Sequence, residues 1–416
     1  MINVFGALFA LVLAIYLIIK QFNAAYALML GAIVGAVLGG AGFNTISVIL
    51  QGVNSVTPAV LRILAAGVLA GVLISSGSAL VIANKIIQKM GEKNAIFALS
   101  LSGLLLTASG VFVDITIVTI APVALAISHR TKTSKLAVFI ALSGGAKAGN
   151  ILSPNPNTIA LAESFNVDLY SLMFVNILPA LLGLLVSVAI AKLLARRGES
   201  VDDSELSEQP KFSEDIPFLK AISGPLVSIL LLSVFPLMGL KMDPLIALPI
   251  GGFVACYLIG HIKHFNVYVS YGLTKMSKVA ILLIATGTMA GVIQNSSLSN
   301  KIVALLDYLH ISAKLLAPIA GTLLSFATSS TTAAAIIGGT AFAKAIIVGG
   351  VPPLFGAAIL NASSTVFDSM PHGSYFHISQ GAFNMDLKKR LQGLKYEVFV
   401  GFVLLFAASI LFIVIL

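Results

Sequence analysis

The sequence predicts an all-α polytopic membrane protein, from its composition, its apolar runs and the placement of its basic residues. Of 416 residues, 58% are hydrophobic and 10% are charged, and the mean hydropathy is +1.03. An average soluble domain carries about 25% charged residues, so a soluble protein of this composition could not solvate its surface. Apolar runs of membrane-spanning length recur along the chain. These features exclude a soluble multidomain enzyme.

The single cysteine and the net charge exclude further classes. Cys256 has no second cysteine to pair with, so disulfide scaffolds and cysteine-based zinc sites are excluded. The net charge is +9, but the basic residues lie in short loops, which indicates membrane orientation and argues against a nucleic-acid partner. Motifs such as H-E-x-x-H, G-x-S-x-G or a phosphate-binding glycine loop are absent from the sequence. We therefore expect no enzyme, no cofactor and no metal site.

Ten apolar runs are long enough for complete membrane crossings, each of which needs about 20 mostly apolar residues. The first run, from Val4 to Ile19, lacks a basic start and a cleavage site, so we interpret it as a retained helix and not as a signal peptide. The predicted crossings are 3–20, 24–43, 58–84, 136–163, 170–195, 218–239, 244–261, 268–293, 353–378 and 398–416.

Two further apolar stretches, 94–128 and 313–348, are too long for one crossing and are interrupted by small polar residues. The interruptions are TASGVFVD at 107–114 and SFATSSTT at 325–332. We interpret both stretches as re-entrant hairpins whose tips end inside the membrane. The alternative is two complete helices at each place.

Charge placement supports this count and predicts the sides of the membrane. With ten crossings and two re-entrant hairpins, 19 of the 25 Lys and Arg residues fall on one side, five fall on the other, and Lys147 lies within the membrane. Because basic loops concentrate in the cytoplasm, both termini are predicted on the outer side of the plasma (inner) membrane. The acidic segment 198–217 is then a flexible cytoplasmic linker.

The two halves resemble each other and are predicted to be inverted repeats. LAGVLI at 69–74 resembles MAGVIQ at 289–294, and GLLLT at 103–107 resembles GTLLS at 321–325, at nearly the same offset along the chain. Each half contains five crossings, an odd number, so the second half enters the membrane upside down, as in many secondary transporters. The predicted repeats are 1–197, with hairpin 94–128 and broken helix 136–163, and 218–416, with hairpin 313–348 and broken helix 353–378.

The two broken helices bring polar residues and helix breakers to membrane depth, at 141–158 and 361–373. Unwound backbone is tolerated there only inside protein or along a watery cavity, and half-helix N-termini suit a carboxylate. The alternative for the neutral polar residues is ordinary hydrogen bonding between helices. The candidate substrate ligands, besides Lys147, are Ser109, Gly110, Asn150, Asn155, Asn157, Thr328, Ser329, Ser330, Thr331, Asn361, Ser363, Ser364 and Thr365.

Ionisable residues inside a membrane are costly, so Asp114, Lys147 and Asp368 are functional candidates. In one interpretation Lys147 binds the substrate carboxylate, and Asp114 or Asp368 carries a coupling proton. In the other, Lys147 is an internal counter-ion to Asp114. His372 flanks the second break and is a further candidate for the proton, although such a histidine is more often a loop residue.

Three segments carry a resemblance to a known family: GVFVDITIVTIAP at 110–122, GNILSPNPN at 149–157 and FDSMPHGSYF at 367–376. They resemble the gluconate permease (GntP) family of the ion transporter superfamily, and the resemblance covers nearly the whole chain. It implies proton-coupled uptake of small hydroxy-carboxylates such as gluconate, related sugar acids or glycerate. It also implies inverted repeats and an elevator motion of a transport domain. The resemblance further implies a homodimer that lies in membrane lipid and forms through a scaffold domain.

The leading hypothesis is therefore a proton-coupled symporter of a small organic anion that works by alternating access. A sodium-coupled carboxylate symporter and an anion exchanger of the same fold are the nearest alternatives, because carbonyls and hydroxyls at broken helices also suit Na⁺. An ion channel is a distant alternative that shares the re-entrant hairpins. An intramembrane enzyme would leave the duplicated hairpins unexplained.

Overall fold

The structure, a computed structural model, describes residues 2–197, 201, 216–238, 242–308 and 312–415. Every regular element in these residues is helical. Six of the described helices are long and apolar enough to cross a membrane, and six shorter apolar helices accompany them. The predicted multi-pass class is thus supported, whereas most of the predicted linker 198–217 lies outside the described residues.

The first half of the chain forms ten α-helices. They are α1 (Val4–Ile19), α2 (Ala24–Leu38), α3 (Thr45–Ser75), α4 (Ser78–Met90), α5 (Ala95–Ala108), α6 (Val113–Thr131), α7 (Lys135–Asn150), α8 (Pro156–Ser164), α9 (Leu169–Val175) and α10 (Ile177–Leu194).

The second half repeats this order. Each of α1 to α8 has a counterpart among α12 to α19, in the same order along the chain and at a nearly constant spacing from it. The helices are α11 (Phe218–Ala221), α12 (Ser223–Leu237), α13 (Pro244–Leu258), α14 (Phe265–Gln294), α15 (Leu298–Tyr308), α16 (Leu316–Thr328), α17 (Thr331–Val348), α18 (Pro353–Ser363), α19 (Ser374–Ala382) and α20 (Leu387–Ile415).

Local capping chemistry also repeats between the halves. The side chain of Asn23 accepts a hydrogen bond from the Tyr26 N–H and begins α2. Asp243, at the equivalent position of the second half, accepts one from the Leu245 N–H and begins α13. Asn and Asp are favoured at this position because their short side chains satisfy N–H groups that the first helical turn leaves unpaired.

The two long helices α3 and α14 pack against each other through glycines. Three glycines on each helix lie at this contact. A Cβ at any of them would clash with the partner helix, mostly with its backbone, so only glycine permits the close approach. The early glycine of α3 meets the late glycines of α14 and the reverse, so the helices run antiparallel. The three glycines of α3 recur at equivalent positions of α14: Gly52, Gly67 and Gly71, and Gly272, Gly287 and Gly291.

Most of the described helices fall into two groups by their contacts. The long-helix bundle consists of α1 to α3 and α12 to α14, and the broken-helix bundle consists of α5 to α10 and α16 to α20. The groups meet where α3 contacts α8, where α14 contacts α17, and where α1 contacts α16. Both interrupted helices, α7–α8 and α18–α19, belong to the broken-helix bundle.

The two predicted hairpins form helix pairs with unequal arms. In each pair the first arm is short, with 14 residues in α5 and 13 in α16. The second arms, α6 and α17, have 19 and 18 residues and are long enough to cross a membrane by length and composition. Re-entrance of these pairs therefore stays a prediction.

Two predicted crossings begin well after the helices that contain them, which start at Thr45 and Leu387. The crossing predicted at 58–84 is two helices, because Gly77 adopts φ +81° and turns the chain between α3 and α4. The crossing predicted at 398–416 begins earlier, at Leu387, so Arg390 lies in a helix and not in a cytoplasmic loop. In the first case the apolar run continues past Gly77, where the chain turns. In the second case the apolar run begins after Leu387, where the helix begins.

Candidate functional site

The first break separates α7 from α8 at residues 151–155. Asn155 ends the break: its side-chain oxygen accepts from the Thr158 N–H, and Pro156 occupies the first helical position. The Asn155 amide nitrogen donates to the carbonyl of Asn150 at 2.7 Å and to the Asn150 side-chain oxygen at 2.6 Å. Two predicted ligands, Asn150 and Asn155, thus bond each other across the break and satisfy the end of α7.

The second break, residues 364–373, is held by the tip of the second hairpin. The Ser329 hydroxyl donates to the Met370 carbonyl at 2.9 Å and to the Asp368 carbonyl at 3.3 Å. The Phe367 N–H donates to the Ser325 hydroxyl at 3.2 Å. Unwound backbone buried in protein needs such partners, so the hairpin tip stabilises the break.

The two breaks lie against each other. The Asn157 amide nitrogen donates to the Asn361 side-chain oxygen at 3.0 Å, and the Asn361 nitrogen donates to the Ile151 carbonyl at 2.9 Å. The equivalent positions in the opposite halves, Tyr375 for Asn157 and Ser143 for Asn361, also contact each other, at 2.7 Å between their hydroxyl oxygens. The contact between the breaks is therefore approximately symmetric.

Lys147 and Asp368 form a buried ion pair between the breaks. The Lys147 Nζ is 2.5 Å from Asp368 Oδ1, and the two residues are only 1% and 8% exposed. The remaining Nζ donors point to the carbonyls of Thr365 at 3.0 Å and Glu397 at 3.5 Å. All donors of the ammonium group are thus used, which a buried charge requires.

The Asp368 carboxylate has two further donors. The Thr331 hydroxyl donates to Oδ2 at 2.6 Å, and the Ser369 hydroxyl donates to Oδ1 at 2.8 Å. Thr331 begins the second arm of the hairpin, so one carboxylate joins the hairpin, the second break and α7. Asp368, and not Asp114, is the acid that Lys147 contacts; the Asp114 side chain accepts from its neighbouring Ile115 N–H at 2.9 Å.

Several predicted ligands have hydroxyls that are already satisfied locally. The Ser109, Ser363, Ser364, Thr365 and Thr328 hydroxyls each donate to a carbonyl three or four residues earlier in the chain. Ser330 caps α17 by accepting from the Ala333 N–H. This bonding favours the structural interpretation for these residues. Gly110 has φ +99° at the first tip, which a side chain would oppose.

His372 lies at the edge of the site. It is exposed, and its Nε2 lies 2.9 Å from the carbonyl of Phe326 on the second hairpin. Among the described residues no cluster of three His, Cys, Asp or Glu side chains is arranged to hold a metal ion.

A second buried ion pair, absent from the sequence prediction, adjoins the first. Arg390 Nη1 donates to Glu397 Oε2 at 2.5 Å, and the two residues are 0% and 1% exposed. The other Glu397 oxygen accepts from the Ser143 hydroxyl at 2.7 Å, and Ser143 lies one turn before Lys147 on α7. The Arg390 guanidinium stacks on Phe139 and Phe376, with centroid distances of 4.7 and 4.5 Å.

Ser153 is a further candidate that the sequence prediction missed. It lies in the first break, is 0% exposed, and its hydroxyl has no hydrogen-bond partner in the described residues. The only sequence signal was its position within the polar run at 149–157. A buried hydroxyl without a partner is costly, which makes it a reasonable ligand for a substrate.

A third charged cluster lies where the two bundles meet. Arg62, in the middle of α3, pairs with Asp243, the residue that caps α13, with Nη2 2.8 Å from Oδ2, and also with Glu163 near the end of α8. Arg62 and Asp243 belong to the long-helix bundle, whereas Glu163 belongs to the broken-helix bundle. The Arg62–Glu163 pair is the charged contact that joins the bundles among the described residues.

The chain is also similar to known proteins. The sequence profile described as GntP family permease matches residues 2–416. The chain belongs to the GntP permease family. The resemblance seen in the sequence is thereby confirmed, and the protein is a multi-pass membrane permease.

The permease is similar to two relatives and to one solved structure. It is 46% identical over 413 residues to an "uncharacterized transporter" of Haemophilus influenzae, covering 99% of this chain and 98% of that protein. It is 23% identical over 360 residues to the D-serine transporter DsdX of Escherichia coli, covering 80% of each. The fold is similar to the YdaH transporter of Alcanivorax borkumensis, with a TM-score of 0.67, 16% identity, and 89% and 87% of the two chains covered.

Proposed function

We propose that this permease is a secondary active symporter that moves a small organic anion, a hydroxy-carboxylate such as gluconate or glycerate, together with a proton. The observation that carries the proposal is the buried Lys147–Asp368 pair between two broken helices. A cation and an acid buried together, with unwound backbone beside them, are typical of the substrate and coupling site of transporters.

The pair suggests how coupling is enforced. With no substrate, Lys147⁺ and Asp368⁻ cancel, so the empty site is neutral. A proton on Asp368 releases Lys147 to bind a carboxylate, and the fully loaded site is neutral again. A site with only the anion or only the proton carries a net charge, which is expensive to move through a membrane. Only the empty and the fully loaded carrier would therefore interconvert readily.

Alternating access would be a movement of the broken-helix bundle, as transport domain, against the long-helix bundle, as scaffold. The antiparallel glycine contact of α3 and α14 supports inverted repeats, because equivalent helices then run in opposite directions. We propose re-entrant hairpins at α5–α6 and α16–α17, outer termini, a cytoplasmic linker and a homodimer that forms through the scaffold.

The test is uptake into sealed proteoliposomes under an inward proton gradient, with gluconate, glycerate and other sugar acids, and with Na⁺ removed. Uphill accumulation that depends on the proton gradient is expected. Accumulation that requires Na⁺ would assign the sodium-coupled alternative, gradient-independent counterflow would assign an exchanger, and purely downhill flux would indicate a channel.

Variants at the two acids identify the proton carrier. Asp368→Asn leaves Lys147 without a charged partner, so we expect anion binding that no longer varies with pH and no proton-driven accumulation. Asp114→Asn serves as the comparison. If Asp114→Asn abolished accumulation while Asp368→Asn retained it, the proton would belong to Asp114.

A zwitterionic amino acid is a second candidate substrate. DsdX, a relative, transports D-serine, and Lys147 and Asp368 together offer both charges that an ammonium and a carboxylate group would need. Competition settles the choice: D-serine should displace labelled gluconate only if the site accepts zwitterions.

The Arg62–Glu163 ion pair should restrain movement between the bundles. Glu163→Gln removes the charge that joins them, and because both side chains are partly exposed we expect a modest effect, about fivefold. The measurement is the rate at which Ser164→Cys, beside a 330 Å³ cavity at the boundary, reacts with a thiol reagent in a Cys256→Ser background. Faster labelling is expected with Glu163→Gln. Asp243→Asn, within the long-helix bundle, is the control, and equal acceleration by both variants would contradict this role.

A further inference from the structure

A basic cleft opens at one end of the broken-helix bundle. It has a volume of 590 Å³ and lies between the start of α7, the end of α10 and the first turns of α20. Four cationic residues line it: Arg197 from the first half of the chain, and Lys388, Lys389 and Lys395 from the second half. Two distant chain segments thus place like charges around one space.

Most of this charge is not neutralised by the described residues. Asp386 is the single acid that lines the cleft, and it is already engaged: its side chain accepts from the Lys389 N–H at 2.7 Å, and its Oδ2 lies 3.4 Å from Lys389 Nζ. The hydrogen bond from the Lys389 N–H holds the pKa of Asp386 below its usual range, so this acid stays ionised. Arg197, Lys388 and Lys395 have no ion-pair partner among the described residues. Like charges around one cleft favour binding of an anion.

The walls of the cleft indicate what kind of anion. Leu136 and Leu194 supply an apolar floor, and Gln392 and Tyr396 add hydrogen-bond donors. On α20, Leu391 lies between Lys388 and Lys395 on one helical face, and it is 42% exposed. Leu193, which precedes the lining residue Leu194 on α10, is 72% exposed. Apolar side chains exposed beside cations fit a molecule with an anionic head and an apolar tail.

We propose that this cleft binds the phosphate headgroup of an anionic phospholipid. Basic pockets between membrane helices recognise such headgroups, and each Lys or Arg near an anionic surface contributes favourably. The lipid would contact α7, α10 and α20 together. It would thus bridge the helices that hold Lys147 and the Arg390–Glu397 pair. This inference is independent of the transported substrate and of the coupling ion.

The test is native mass spectrometry of the purified full chain, delipidated and then titrated with phosphatidylglycerol, cardiolipin or phosphatidylcholine. Lys388→Gln combined with Lys395→Gln should weaken retention of the anionic lipids roughly 10- to 30-fold and leave phosphatidylcholine unchanged. Lys85→Gln combined with Lys89→Gln, on exposed positions of α4, is the matched control and should change retention less than about twofold.

Three outcomes would overturn the proposal. Equal loss of lipid retention in both double variants would mean that the lipid binds to general surface charge and not to a defined site. Unchanged retention of anionic lipid in the cleft variant would mean that the cleft does not bind the lipid and that another group, such as the acidic segment 198–217, neutralises its charge. Complete displacement of the lipid by millimolar inorganic phosphate would assign a free-phosphate site instead. Because all four substituted lysines are exposed, the variants should fold, and each single substitution should give an intermediate loss.

Discussion

Replacing Lys147 by alanine should abolish uptake, with a loss of at least about 100-fold. The substitution leaves Asp368 as a buried carboxylate without its cation, and breaking a buried pair in this way costs about 3–5 kcal/mol. Uptake of labelled anion into proteoliposomes measures the effect. Lys192→Ala, on an exposed position of α10, is the control and should transport normally.

A neutral double variant separates function from folding. Lys147→Met with Asp368→Asn removes both charges together, so the protein should fold about as well as the wild type but should not transport. If that variant accumulated the anion normally, the pair would be structural and the proposed coupling would be wrong. The exchanged pair, Lys147→Asp with Asp368→Lys, keeps the attraction between the two side chains. If this variant kept its affinity for the anion, Lys147 would be only a counter-ion to Asp368. If it lost that affinity, Lys147 would be a ligand of the anion.

Replacing Arg390 by methionine should destabilise the protein by about 3–5 kcal/mol. The substitution keeps an apolar stem against Phe139 and Phe376 but leaves Glu397 charged, buried and without its partner. Thermal unfolding in detergent measures the loss. Arg130→Met is the matched control, because its pair with Glu92 is exposed and 4.0 Å long and should contribute little.

The same variant should also disturb the Lys147 site. Glu397 accepts from Ser143, one turn before Lys147, and its carbonyl lies 3.5 Å from Lys147 Nζ. Adding Glu397→Leu to Arg390→Met removes the unpaired charge and should recover much of the stability. Wild-type stability of Arg390→Met alone would show that the guanidinium is not needed to neutralise Glu397.

Much of the local structure could be predicted from the sequence. Asn155 and Pro156 begin α8 by rules that act within a few residues, so the sequence alone indicates where this helix starts. A single glycine in an apolar run is a weak signal, so the sequence does not indicate that the left-handed conformation of Gly77 ends α3. Arg390 lies between the predicted crossings 353–378 and 398–416, so the sequence indicates a loop there, whereas the structure has a helix.

The chain's apolar content alone determines that it belongs in a membrane, and its glycines, prolines and capping residues determine where helices are interrupted, since these effects act over about 20 residues or fewer. Only the tertiary structure decided which charges meet. Lys147 pairs with Asp368, in the opposite half of the chain, and not with the nearer Asp114; Arg62 reaches Asp243, and Arg390 turns inward to Glu397. A buried charge takes whichever partner the packing brings within about 4 Å, and no short-range pattern in the sequence records that distance.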